Sequence, residues 1–215
     1  MENYKPQIEI DPSWEMVELG EVCEFKRGPF GGALKKEIFV PQGNLVYEQY
    51  HAINNDFSFA RYFIDDKKFS EMRAFQVKAG DMIVSCSGTM GRVAIIPEKF
   101  KKGIINQALL RLRITKKQTT KEFLKLYLES RPIQERFFLN QVGSAIQNVA
   151  SVKYLKTIPF PKLSISEQIQ IAQKIEQEQE AIDRCKWLIE TYTKKIQDKI
   201  DKVWGTTSSQ SYPIV

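Results

Sequence analysis

In this chain of 215 residues, 42% hydrophobic and 11% aromatic side chains with no low-complexity tract exclude a disordered protein and leave room for one medium domain with a sizeable core. Three scattered cysteines, Cys23, Cys86 and Cys185, exclude a disulfide scaffold or a paired-cysteine zinc site and read as buried thiols, while a single histidine, His51, argues against histidine metal centres; no metal and no cofactor is expected. There is no signal-peptide pattern and no apolar run near membrane-spanning length, so a soluble cytoplasmic protein is expected, and a net charge of +6 with a pI of about 9.1 admits nucleic acid as a partner without requiring it.

Residues 1–13 are polar and proline-punctuated, a loose lead-in. Asp11-Pro12-Ser13-Trp14 superficially resembles the Asp-Pro-Pro-Tyr loop of amino-methyltransferases, but no strand with a glycine-rich cofactor loop accompanies it and the second proline is missing. Trp14 to Phe25 alternates enough for a short strand, a turn and a small helical segment. The run from Lys26 to Lys36 is a glycine-rich loop between two basic pairs. Its glycines let backbone amides approach an anion, so Lys26, Arg27, Lys35 and Lys36 are candidate contacts to a nucleic-acid phosphate; the nucleotide P-loop spacing is absent.

Asn44 to Phe75 is the most aromatic stretch. Half of its rings belong in a core, but Gln49, His51 and Asn54 lie among them and are residue types that read base edges. From Val77 to Ile96 a turn, a buried strand at 82–85, a glycine turn at 87–91 and a return strand follow one another. That glycine turn should present Ser87, Thr89 and Arg92 to a partner, the first two toward bases and the arginine toward phosphate. Ser85-Cys86-Ser87 lacks the strand-to-helix elbow of a nucleophile.

Gly103 to Ile114 reads as one strand in which Arg111 and Arg113 alternate with Leu110, Leu112 and Ile114. Thr119-Thr120-Lys121-Glu122 has capping-box spacing for a helix to Glu129, which Pro132 restarts or kinks and which continues to Leu139. Gly143 to Asn148 is a polar loop, and Ser151 to Lys156 is one helical turn before a proline-flanked extended segment.

Ser164-Ile165-Ser166-Glu167 is a second capping box, opening a helix that runs without proline or glycine to Val203. Apolar residues recur there every seventh position: Ile175, Ile182, Ile189, Ile196 and Val203, flanked by Ile171, Cys185 and Tyr192, with Glu178 and Lys199 interrupting the second row. A helix of roughly 58 Å at 1.5 Å per residue is longer than a domain of this size can cover. The seam therefore points to pairing with a helix of another molecule. From Lys162 onward eight basic residues balance eight acidic ones, so the positive excess lies in the preceding residues. A basic globule beside a charge-balanced helix fits a nucleic-acid reader with a protein-pairing arm.

The order of these pieces resembles a known family. W-x-x-V-x-L-G-E-V from Trp14, Lys26-Arg27-Gly28, Gly80-Asp81-Met82-Ile83, Ser87-Gly88-Thr89-Met90-Gly91-Arg92-Val93, Asn106-Gln107, Gly143 to Asn148, and Ile158 to Pro161 before Glu167-Gln168-x-x-Ile171 together are similar to the specificity subunit of type I restriction-modification enzymes. The resemblance implies an α/β (α+β) target-recognition domain with a mixed sheet at 14–160, a long coiled-coil spacer and docking helix at 164–203, and a flexible tail at 204–215.

It also implies a non-catalytic subunit that binds double-stranded DNA, reads one half of a bipartite target and docks methyltransferase subunits, with a restriction subunit in some assemblies. A usual member of that family carries two recognition domains and two helices. One of each here implies a half-subunit that forms a homodimer with its helices antiparallel. Two other readings stay open on residues alone: a protein-only coiled-coil adaptor, and a DNA-modifying enzyme.

Overall fold

The strand, turn and small helix expected after Trp14 form as β1 (Met16–Glu18), α1 (Leu19–Val22) and β2 (Cys23–Arg27) in a computed structural model of the chain, which describes residues 11–137 and 150–205. Most of the expected lead-in and tail, and the polar loop expected at 143–148, lie outside the described residues. Strand β2 alternates as its sequence requires, with Cys23 and Phe25 buried and Glu24 exposed. Two 3-10 turns follow, Gly31–Leu34 and Lys36–Ile38.

The aromatic stretch folds into β3 (Asn44–Tyr47), α2 (Gln49–Asn54), β4 (Phe63–Ile64) and α3 (Asp66–Glu71). The hairpin expected after Val77 is β5 (Met82–Ser85) and β6 (Val93–Ile95). The single strand expected from Gly103 to Ile114 is instead two, β7 (Gly103–Ile105) and β8 (Leu109–Ile114), because the chain turns at residues 106–108 and enters a different sheet. The Asn106 side chain accepts from Ala108 N–H at 3.0 Å, which favours a turn over a continuous strand.

Strands β2-β8-β5-β6 make an antiparallel sheet of four; β4-β3-β7 make a sheet of three, antiparallel on one side of β3 and parallel on the other. Leu45, Tyr47, Val77, Ile83, Ala94, Ile96 and Leu109, with Ala52 of α2, form one cluster drawn from both sheets. Val46, Ile64, Phe69, Met72 and Ile104 form a second cluster, over which Leu34 and Ile38 pack.

Then come α4 (Lys121–Glu129), α5 (Arg131–Phe137), α6 (Val152–Lys156), β9 (Pro159–Pro161) and α7 (Ile165–Trp204). Strand β9 pairs only with β1, and this edge pairing suits a segment whose prolines cannot donate. Phe160 points inward between Phe123 and Tyr127, edge-on to both rings. The cap of α4 is Thr120, whose hydroxyl accepts from Phe123 N–H at 3.1 Å, not Thr119 as the spacing suggested. Thr119 is engaged elsewhere, donating to Gln168 Oε1 at 2.9 Å.

Gln168, on the first turn of α7, is fully buried and uses its whole amide: it accepts from Thr119 Oγ1 and Thr120 N–H, and donates to the carbonyls of Gln118 (2.8 Å) and Leu163 (2.9 Å). The capping box at Ser164 and Glu167 forms as expected, with Ser164 N–H and hydroxyl both donating to the Glu167 carboxylate, which those bonds hold below its usual pKa.

Contacts divide the chain into two units, Met1–Ala172 and Gln173–Val215. Up to Trp204 the second is helix. Within the single chain its seam is uncovered toward the C-terminal end, with Ile189 57%, Ile196 58% and Val203 72% exposed, and Ile175 and Ile182 half-buried. Cys185 is exposed, unlike the buried Cys23 and Cys86 and contrary to the expectation for all three thiols. Among the described residues no helix is long and apolar enough to cross a membrane. The architecture is thus the expected α+β fold with a long C-terminal helix.

Candidate nucleic-acid interface

Strand directions bring several candidates to one end of the four-stranded sheet. Because β2 and β5 both run antiparallel to β8, the end of β2 at Arg27, the turn leaving β5 at Ser85 and the start of β8 at Leu109 lie together. Strands β3 and β7 are parallel and also finish there, at Tyr47 and Ile105. Residues 106–109 are the hub. Leu109 C=O accepts from Gly28 N–H (2.9 Å), Ala108 C=O accepts from Cys86 N–H (2.8 Å), and Asn106 N–H donates to Tyr47 C=O (3.0 Å). A Cβ on Gly28 would lie 1.8 Å from Asn106 O, so only glycine allows this approach.

The glycine turn after β5 is fixed from beneath. Ser85 Oγ donates to Thr89 C=O at 2.6 Å and accepts from Arg92 N–H at 3.0 Å, and Gly88 (φ 59°) and Gly91 (φ 78°) supply left-handed backbone. Its rim leaves Ser87 and Thr89 exposed on a rigid frame. Beneath them the Cys86 thiol is pushed up to about 11 by burial, against the nearby Arg27 charge that lowers it, so the thiol is protonated at neutral pH and is no nucleophile.

Two buried polar atoms at this end have no hydrogen-bond partner: Nη1 of Arg27 and Oε1 of Gln49. The Gln49 amide nitrogen lies against the glycine turn, 3.5 Å from where a Cβ on Gly88 would be. Unpaired donors and acceptors of this kind cost stability unless a ligand or water completes them. Lys26, at the same end of β2, lies over the Phe75 ring at 4.8 Å. Arg92 is half-buried, and its charge helps lower the Glu129 carboxyl that burial raises.

Other candidates fall elsewhere. Lys35 and Lys36 are exposed on the 3-10 turns beside the second hydrophobic cluster. Asn54 is exposed at the end of α2, where its amide donates to Tyr50 C=O at 3.0 Å. His51 must be withdrawn as a base reader. It is fully buried, its Nδ1 accepts from Glu48 N–H at 3.0 Å, and its Nε2 lies 3.1 Å from Phe59 C=O, an arrangement that fits the tautomer protonated at Nε2. It stands among Tyr47, Tyr50, Phe57 and Phe59, so packing holds it where sequence suggested recognition.

Gln107 is the residue that sequence reasoning passed over. It is exposed on the hub turn, beside the strand ends that carry Arg27 and Ser85. Reading 103–114 as a single strand hid it; the Asn-Gln pair between two apolar runs was the available signal. Among the described residues no group of three or more His, Cys, Asp or Glu side chains could hold a metal ion.

Comparisons with known proteins agree in direction. The family model for the type I restriction modification DNA specificity domain matches residues 12–199. Among solved structures, a chain of a type I R-M system superposes with a TM-score of 0.61 at 20% identity, covering 91% of this chain and 46% of that one. The HsdS subunit from Thermoanaerobacter tengcongensis gives 0.57 at 20% identity, covering 83% and 40%. Such identities establish likeness of fold, and this chain spans less than half the length of either. No curated protein matches it in sequence. With the family model spanning most of its length, the chain belongs to the type I restriction modification DNA specificity domain family.

Proposed function

We propose that residues 14–160 form a target-recognition domain that reads one half of a bipartite sequence in double-stranded DNA, and that the chain is a specificity subunit without catalytic activity of its own. The observation that carries this is the convergence, at one end of the sheet, of a rigid hydroxyl-bearing turn with Arg27 and Gln49, whose buried polar atoms lack partners. A base edge or phosphate supplies the missing partners. On this reading Lys26 and Arg27, with Arg92 and the more distant Lys35 and Lys36, neutralise phosphates and set orientation. Gln49, Ser87, Thr89 and Gln107 discriminate bases, with Asn54 at the margin.

Methyl transfer then belongs to methyltransferase subunits docked on this one, and cleavage, where it occurs, to a restriction subunit. The seam at Ile175, Ile182, Ile189, Ile196 and Val203, uncovered toward its C-terminal end, pairs with the same seam of a second copy, so that two copies read inverted half-sites. Mapping of methylated bases in the genome, with and without the chain, tests the proposal. The expected result is a split motif whose methylation disappears with the chain; an unchanged methylation pattern would refute it.

A further inference from the structure

One aromatic ring near the reading end stands outside both hydrophobic clusters. Phe30 is 72% exposed, whereas no other large apolar residue described before Gln173 exceeds 42%. The backbone that carries it is held on both sides. Before it, Gly28 N–H donates to Leu109 C=O at 2.9 Å, the carbonyl of Asn106 leaves no room for a Cβ on Gly28, and Pro29 fixes its own φ. After it, the chain enters the 3-10 turn Gly31–Leu34, whose Leu34 packs on the second cluster. A ring displayed on a braced loop keeps its position without being buried.

Its neighbour is a cation. The guanidinium of Arg27 lies 6.0 Å from the Phe30 ring centroid and keeps Nη1 buried without a partner. A charge that attracts phosphate thus stands beside a ring with no hydrogen-bonding atom, and the ring restricts what the pair can read. On the edges of base pairs in the major groove the one apolar group is the C5 methyl of thymine, and the minor-groove edges carry none. The groups around the same strand ends, the hydroxyls of Ser87 and Thr89 and the amides of Gln49 and Gln107, are the types that bond major-groove edges. An amide suits adenine, whose partner base is the one that carries the methyl.

Resting on the DNA-reading function above, we propose that Phe30 is a specificity-determining residue whose ring covers the C5 methyl of a thymine in the major groove, while Arg27 beside it holds a neighbouring phosphate. Covering the methyl removes apolar surface of both partners from water, and the gain is independent of salt because no charge takes part. Each half-site then contains an A·T pair at a fixed position and in one orientation. Uracil, which keeps every hydrogen-bonding group of thymine and lacks only the methyl, is read there as a poorer base.

Binding of the full chain to the duplex carrying the split motif returned by methylation mapping tests this, with the duplex made once with thymine and once with uracil throughout. The parent should bind the uracil duplex more weakly by about fourfold per half-site, the share of one buried methyl group. Phe30→Ala should lose most of that difference, bind the thymine duplex about as weakly as the parent binds uracil, and keep the parent's salt dependence. Phe30→Leu, still apolar but without a ring face for Arg27, should retain the preference for thymine. A parent indifferent to uracil, a half-site without an A·T pair, a Phe30→Ala chain that discriminates as the parent does, or one whose salt dependence becomes shallower, which marks an effect exerted through Arg27, overturns the role of Phe30 and leaves the DNA-reading function standing. A parent that binds the motif no better than a scrambled duplex overturns that function itself.

Discussion

Arginines in two regions of the same sheet have opposite fates. Arg111 and Arg113, in the middle of β8, are consumed by structure. Arg111 is buried, donates to Glu24 Oε1 at 2.8 Å and to the carbonyl of Gln76, and burial depresses its pKa; Arg113 grips Asp81 with two bonds of 2.7 Å. Arg27, at the end of β2, keeps Nη1 buried and unpaired beside an exposed turn. A count of basic residues treats all three alike. What separates them is carboxylate pairing, not saturation, since Arg111 Nε is itself buried without a partner: Arg111 and Arg113 are ion-paired with Glu24 and Asp81, whereas Arg27 has no carboxylate among the described residues and its charge is left for an anionic ligand.

The sharpest way to break this contrast is to truncate each kind of arginine. Arg111→Met should destabilise the fold by about 1–2 kcal/mol in chemical denaturation, because it removes the ion pair with Glu24 and the bonds to the carbonyls of Ala74 and Gln76, of which Gln76 keeps Arg113 as a donor. DNA affinity per folded molecule should hardly change. Arg27→Ala should do the reverse: stability within about 1 kcal/mol of the parent, affinity for all sequences lower by about tenfold, and a salt dependence of binding shallower by about 1. An unchanged slope would remove Arg27 from the phosphate contacts.

Ser87→Ala and Thr89→Ala sharpen the comparison at smaller amplitude. Ser85 and the backbone hold the turn, so neither change should cost more than about 0.5 kcal/mol of stability. Each should lower affinity for the cognate site by about 1 kcal/mol while non-specific binding stays constant, as competition assays with scrambled DNA would report.

The smallest effect concerns Glu129, which pairs with Lys125 at 3.5 Å and feels the charge of Arg92 more weakly. Burial raises the Glu129 carboxyl above its ordinary value of 4.5, so the folded chain holds that proton more tightly than the unfolded one. The resulting stabilisation is present at acid pH and is lost as pH rises from 4.5 through the folded-state value. Glu129→Gln should therefore flatten the stability profile over that interval, with a change of a few tenths of a kcal/mol at neutral pH. A profile identical to the parent would show that solvent reaches the carboxylate freely.

Much of this was legible beforehand where the governing interaction is local. The start of α7 at Ile165, its heptad stripe, the hairpin after Met82 and the helix from Lys121 follow from caps, turns and hydrophobic period, each set by residues within a few positions of one another. The candidate site was legible only in part. Ser87 and Thr89 lie exposed as the glycine turn implied, but His51 has the chemistry of a reader and the location of a core residue, and Gln107 was hidden inside a strand that is really two.

Sequence by itself determined the hairpin after Met82, the helix from Lys121, the exceptional length of the last helix and the positive charge of the residues before it, because periodicity, capping and charge are properties of neighbours along the chain. Tertiary structure alone decided which polar groups are satisfied. Thr119 turned from a helix cap into a partner of Gln168, Gly28 became necessary because Asn106 passes directly against it, and Arg111 met the carboxylate of Glu24. Each of these depends on a group dozens of residues away arriving within 3 or 4 Å, a distance that pairing of strands and packing of helices sets and that no local pattern encodes.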